Sequence, residues 1–295
     1  MYHSKSLIFC ILTVSFISCA YYNTLFNAQA RYADGIRKIE ESKEKKITSD
    51  IRNDFQAAID KCWKLINIYS DSSKYADDAL LIIGKSHYHI EEYVKAERFL
   101  SQFVNRYRDS DLVAEAYLWL GMSLIELDRN DEALAHLNKV LAEDESDDLN
   151  ARAYLNSGRV YLKRENYEQA RKQFAEVFNL TGDDEIQGNA QFLTAETYYQ
   201  ESNYTESTVS FERVLEYDAS VDLLFRAILR KVDSYLNLEE YDQVIITLES
   251  ISSETRFLHK KSVVLALIGD CYKVQGKFLE ANEIYYDVLE TYPRT

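Results

Sequence analysis

Proline and glycine are nearly missing from this chain. Its 295 residues hold one Pro and eight Gly, far below the usual shares of about 5% and about 7%. Sandwiches, barrels and doubly wound sheets need many tight turns, and tight turns draw on those two residues. All-β and α/β architectures are therefore excluded. Cysteine is scarce as well. Cys10, Cys19, Cys62 and Cys271 form no CxxC pair and no Cys/His cluster with metal-ligand spacing. Cys62 and Cys271 sit within helix-like apolar patterns and are expected to be buried thiols. Positive charge is short: 34 Lys and Arg face 49 Asp and Glu, a net charge of −15. Such a surface repels phosphate backbones, so nucleic acid is not an expected partner. Long apolar runs are also absent. The one at 7–17 has eleven residues, where a spanning helix takes roughly 20. What is present is aromatic: 23 Tyr and 13 Phe, enough for a large core. The composition predicts an all-α protein.

The first residues read as an address. Lys5 precedes the apolar run 7–17, and the run ends in Phe16-Ile17-Ser18-Cys19. Its length suits a signal-peptide core. The ending resembles a bacterial lipobox, in which a small residue precedes a Cys that is acylated and becomes the mature N-terminus. Phe16 departs from the usual Leu of that motif. The resemblance implies cleavage after residue 18, acylation of Cys19 and, with Ala20 rather than Asp following, sorting to the outer membrane. Acylation at more than one position would anchor the chain stably, since a single acyl chain binds only marginally. Loss of Lys5 leaves 33 basic against 49 acidic residues, a body of −16.

The body repeats every 37 residues. Gly84, Gly121, Gly158, Ala195, Val232 and Gly269 fall on one register. Three residues on come His87, Leu124, Tyr161, Tyr198, Tyr235 and Tyr272. Nine residues after the anchors come Tyr93, Asn130, Tyr167, Tyr204, Tyr241 and Phe278; twelve after come Ala96, Ala133, Ala170, Ser207, Val244 and Ala281. Sixteen after come Leu100, Leu137, Phe174, Phe211, Leu248 and Tyr285; nineteen after come Phe103, Val140, Val177, Val214, Ile251 and Val288. The spacings describe two amphipathic helices per repeat joined by a short turn, with a small anchor where the partner helix comes close. A partial earlier unit places Phe55, Ala58, Cys62 and Leu65 on a second helix. Its first helix is expected in 25–40, with 41–50 as an inserted loop or helix extension and Gly35 as a weak point.

This pattern resembles the tetratricopeptide repeat (TPR): a small residue, Tyr three on, then aromatic, Ala, Phe and a closing Pro. The last unit has Gly269, Tyr272, Phe278, Ala281, Tyr285 and Pro293. TPR units usually have 34 residues, so three extra imply longer loops. The resemblance implies a right-handed α-solenoid of about seven helix-turn-helix pairs. The domain reading is a cleaved signal peptide at 1–18, an acylated N-terminus with first helix and charged linker at 19–50, and a solenoid at 51–295.

The sequence holds no recognisable catalytic constellation. No phosphate-cradling glycine loop, HExxH or Gly-x-Ser-x-Gly occurs. His87 and His89 are two apart and diverge on a helix, so they share no metal, and His87 falls on a core position. The acids at 143–148 lack the glycine of a calcium loop and read as solvated. The expectation is a chain with no enzymatic activity, cofactor or metal, acting through its surfaces. In a TPR solenoid the first helix of each pair lines the groove. The register places Lys85, Tyr88, His89, Trp119, Met122, Arg152, Asn156, Arg159, Lys163, Phe192, Glu196, Tyr199, Arg226, Arg230 and Asp233 there. The Arg residues read either as carboxylate binders or as partners of the chain's own surplus acids. Trp119, Phe192 and Tyr199 read as aromatic anchors.

A lipobox ahead of TPR-like pairs resembles the BamD family of outer-membrane lipoproteins. The stretches beginning at Tyr69 and Tyr107 carry that likeness, without the Pro that the family usually has there and with more repeats than its usual five. The resemblance implies a lipid-anchored scaffold on the periplasmic face of the outer membrane. It would bind a β-barrel assembly protein and unfolded substrate peptides. A TPR lipoprotein of Tol-Pal-linked division or of pilus assembly is the alternative.

Overall fold

The computed structural model describes residues 23–42, 46–69, 74–143 and 146–292. The expected signal peptide, Cys10, Cys19 and Pro293 lie outside the described residues. Among the described residues every regular element is a helix, as the shortage of Gly and Pro requires. The chain divides into two compact units, one up to Val160 and one from Tyr161.

The first unit holds α1 (23–41), α2 (Ser49–Tyr69), α3 (Ala76–His89), α4 (Tyr93–Arg106), α5 (Val113–Glu126), α6 (Asn130–Glu143) and most of α7 (Asp147–Lys163). Within it α2 packs on α3, α3 on α4, α4 on α5 and α5 on α6. The first odd-numbered helix thus occupies the expected place; of the charged stretch 41–50, Glu41 ends α1, 46–48 are non-helical, and Ser49 and Asp50 begin α2. The second unit holds α8 (Tyr167–Leu180), α9 (Asp184–Gln200), α10 (Tyr204–Val214), α11 (Val221–Asn237), α12 (Tyr241–Ser252), a 3₁₀ turn (Thr255–Lys260), α13 (Lys261–Val274) and α14 (Phe278–Thr291). Each of these helices likewise packs on the next. Each unit is a TPR-like α-solenoid stack of helix hairpins.

The 37-residue register is the core. Ala96, Ala133, Ala170, Ser207 and Val244 have no exposed surface, nor do Leu100, Leu137, Phe174, Phe211 and Leu248. The small anchors let the two helices of a hairpin touch. A Cβ built on Gly84 would lie 2.6 Å from Leu100 Cγ, sixteen residues on. Gly35 is a second such contact rather than a weak point: a Cβ there would lie 2.8 Å from Phe55 Cζ. Where Ser replaces Ala, at Ser207, its hydroxyl is hydrogen-bonded to Ser234 Oγ at 2.9 Å, so the buried polar group is satisfied. Cys62 and Cys271 are buried free thiols, as expected.

The turn inside each hairpin is written in backbone rather than side chain. Glu91, Asp128, Glu165, Ser202, Glu239 and Gly276 all have φ between 57° and 76°. They recur every 37 residues. The following N–H then reaches back five residues: Glu92 to His87 O, Arg129 to Leu124 O, Asn166 to Tyr161 O, Asn203 to Tyr198 O, Glu240 to Tyr235 O and Lys277 to Tyr272 O, each at 2.9 Å. This is the Schellman closure of a helix end. The donor residue also starts the next helix. Asn166 and Asn203 cap it with their side chains, accepting from the N–H groups of Gln169 and Glu206, so Asn203 has a structural task.

Five of these six left-handed positions carry a side chain where glycine is strain-free. Relief of that strain outweighs the freedom that glycine adds to the unfolded chain. Glu91→Gly, Glu165→Gly and Glu239→Gly are expected to stabilise the protein by about 0.5 kcal/mol each. Gly84→Ala is expected to destabilise it by about 1–3 kcal/mol, because Leu100 has nowhere to move. Urea unfolding of the four variants checks both signs.

Candidate functional site

The groove residues lie on the odd-numbered helices and converge separately in each unit. In the first unit they build an aromatic cluster around Lys85 and His89. Lys85 Nζ lies 2.6 Å from Glu115 Oε1 and sits over the rings of Tyr32 (5.0 Å) and Trp119 (5.4 Å). Trp119 Nε1 donates to the same Glu115 oxygen at 3.1 Å. His89 stacks on Phe55 at 5.0 Å, meets Trp119 edge-on at 5.1 Å and shares a 3.0 Å hydrogen bond with Tyr32 Oη. Tyr88 packs against Trp119 and Tyr93. Burial pushes its phenol up to about 12, against the pull of Arg159. Met122 packs against the same core.

The α7 residues of this unit form a chain of polar contacts. Arg152 Nε pairs with Asp148 at 2.9 Å. Asn156 is 5% exposed; its amide donates to Arg152 O at 2.8 Å and its Oδ1 accepts from Arg159 at 3.0 Å. Arg159 reaches Glu126 on α5 at 3.0 Å. Lys163, past the unit boundary and so in the second unit, stands exposed at the C-terminal end of α7, favourable for a cation at a helix dipole.

In the second unit the residues surround a pocket of about 510 Å³. Its walls are Leu162, Phe192, Leu193 and Leu229, and its polar groups are Glu196, Arg226, Arg230 and Asp233. Arg230 presents a fork to Glu196, with Nε 2.8 Å from Oε1 and Nη2 3.0 Å from Oε2, and covers the Tyr199 ring at 4.7 Å. Arg226 covers Phe192 at 5.0 Å and pairs with Asp222 at 3.2 Å. Burial raises the carboxyls of Glu196 and Asp233 above the usual range, against the pull of Arg230.

Of the two readings of the groove cations, the geometry therefore carries self-pairing: Lys85, Arg152, Arg159, Arg226 and Arg230 each have an acid of the chain beside them. Three of those acids, Glu115, Glu126 and Glu196, lie on the neighbouring odd-numbered helix. Sequence reasoning missed Tyr32, Glu115 and Glu126. The separations 85–115, 126–159 and 196–230 are close to one repeat, and that near-repeat spacing of opposite charges is the signal for them. His87 is the satisfied core histidine expected: it is buried, hydrogen-bonded to Glu92 at 2.7 Å, and held low by burial against the pull of Glu92. Among the described residues no group of three or more His, Cys, Asp or Glu could hold a metal, and no helix is long and apolar enough to cross a membrane.

Two tetratricopeptide-repeat family models match the chain, over residues 78–110 and 112–181. Solved structures share the architecture. A tetratricopeptide repeat protein from Parabacteroides merdae is 14% identical, with TM-score 0.54, over 88% of this chain and 93% of that one. The apo form of RapI is 14% identical, TM-score 0.58, over 92% and 97%. PilF of Pseudomonas aeruginosa is 15% identical, TM-score 0.55, over 81% and 99%. At these identities the likeness is one of fold. A comparison with curated proteins gives no match. Residues 78–110 and 112–181 thus match tetratricopeptide repeats, and the chain has the fold of TPR proteins. TPR proteins in general mediate protein–protein interactions.

His89 gives the first unit a pH dependence. Burial and the Lys85 charge hold its imidazole down from 6.5 to about 4. Between those values the unfolded chain binds a proton that the folded chain refuses. The associated stability is complete above pH 6.5 and is lost as the pH falls toward 4, a change of about 3 kcal/mol in full. Urea unfolding at pH 7.5 and 4.5 should show a smaller loss on acidification for His89→Gln than for the unaltered chain. Equal losses would remove His89 as the cause.

Proposed function

We propose that this chain is a lipid-anchored scaffold on the periplasmic face of the bacterial outer membrane. It binds protein partners in the manner of the BamD family, for assembly of outer-membrane β-barrel proteins, and carries out no catalysis itself. The observation that carries this reading is the conjunction of two features. An eleven-residue apolar run ends in Ser18-Cys19, and a TPR body follows it. An acylated Cys19 would hold a body of strong negative charge at a bilayer by lipid rather than by charge. The TPR fold supports the binding role, since its hairpins present one helix of each pair as a continuous surface. Trp119, Tyr88 and the α7 arginines of the first unit are of the residue types that dominate protein interfaces.

The reading is tested in a Gram-negative host. Alkyne-palmitate labelling should mark the chain, and Cys19→Ala should abolish the label and release the protein from the outer-membrane fraction. A photo-crosslinking residue at Trp119 should then capture a β-barrel assembly protein in intact cells. Arg152→Glu with Arg159→Glu should weaken that capture severalfold while the folded content stays unchanged. Capture of pilus or Tol-Pal proteins instead would move the function to the alternative envelope system. Absence of label would end the lipoprotein reading.

A further inference from the structure

The second unit's pocket carries an imbalance of charge that says what kind of side chain it takes. Two guanidinium groups and two carboxylates line it, and a third carboxylate, Asp222, already holds Arg226 at 3.2 Å. Arg230 is shared between two of them. Its Nη2 donates to Glu196 Oε2 at 3.0 Å and its Nε lies 2.8 Å from Oε1 as an ion pair, so most of the guanidinium faces Glu196. Glu196 is only 8% exposed, so the pair is fixed in place by its surroundings. Asp233, one turn along α11, is left 3.8 Å from the remaining Arg230 nitrogen, beyond hydrogen-bond distance. It is half-exposed and lines the pocket. Burial raises its carboxyl against the pull of Arg230. Arg226 and Arg230 thus face three carboxylates, Glu196, Asp222 and Asp233, and Asp233 is the one that lines the pocket in the loosest contact with its cation.

The rest of the lining fits the same ligand. Leu162, Phe192, Leu193 and Leu229 form apolar walls, a surface suited to the methylene stem of a long basic side chain whose head reaches a carboxylate. The whole chain carries −15, so the field around the pocket draws cations toward it. We infer that this pocket is a docking site for a lysine- or arginine-bearing segment of a partner protein, with the cationic head on Asp233 and the stem against Phe192, Leu193 and Leu229. This rests on the reading of the chain as a partner-binding scaffold and gives that reading a chemical polarity. The arginines act here as holders of Glu196 and Phe192 rather than as receivers of an acidic peptide.

The probes are three fluorescein-labelled octapeptides that alternate Leu with Lys, with Glu or with Gln. Their anisotropy is followed on the full chain at 150 mM salt, where attraction beyond roughly 8 Å is screened. The Lys-Leu peptide is expected to bind at least tenfold more tightly than the other two. Asp233→Asn, close to isosteric, should weaken it tenfold or more. Leu193→Lys, which places the chain's own amine in the pocket, should block it. Glu249→Gln, on the exposed side of α12, should change it less than twofold. Thermal melting of each variant separates a lost site from a lost fold. Tighter binding of the Glu-Leu peptide overturns the inference. So does a Lys-Leu affinity that Asp233→Asn leaves unchanged, or one that Glu249→Gln lowers as much. Crosslinking from Trp119 in cells reports on the scaffold reading independently, so either can fail alone.

Discussion

The fold rests on how closely two helices can approach. In the hairpins of Gly84, Gly121 and Gly269 a glycine on the first helix lies beneath a large side chain sixteen positions later, and at Gly84 the gap is too narrow for even a methyl group. That approach closes only if the link between the helices is short and turns at a fixed angle. The left-handed residue every 37 positions, with its 2.9 Å backbone closure, supplies that angle. Contact and turn specify each other. Together they repeat the same local solution, so each unit is built from neighbours rather than around one distant centre.

The contact was legible in the sequence and the turn was not. The anchors and the positions twelve, sixteen and nineteen after them came out buried, save the half-buried Tyr285 and Val288 of the last repeat, because a 3.6-residue repeat sends them all to one seam. The left-handed turns escaped because five of the six carry Glu, Asp or Ser where glycine would have announced them. Gly35 was misread for the complementary reason. A glycine inside a helix reads as weakness until the ring of Phe55 is seen to fill the space its missing side chain leaves.

The candidate surface was legible as a set of residues but not as an electrostatic state. The register placed Lys85, Arg159 and Arg230 on odd-numbered helices, and the structure agrees. Their charge is answered across adjacent helices by Glu115, Glu126 and Glu196, and pairing across a stack depends on side-chain reach that no periodicity encodes. The same holds for Tyr32, brought to His89 by a first helix whose register is offset from the later ones. In half-buried pairs of this kind the cost of desolvation offsets much of the attraction. Their effect here is to settle which charges are left over for something else to meet.

The left-handed links also bear on how much of the sequence the architecture claims for itself. A hairpin closed by backbone hydrogen bonds tolerates several residue types at its turn. Glu, Asp, Ser and Gly all occupy the equivalent position in this one protein. The angle between helices is kept in peptide geometry and a few small residues, which leaves the outward positions free for surface chemistry.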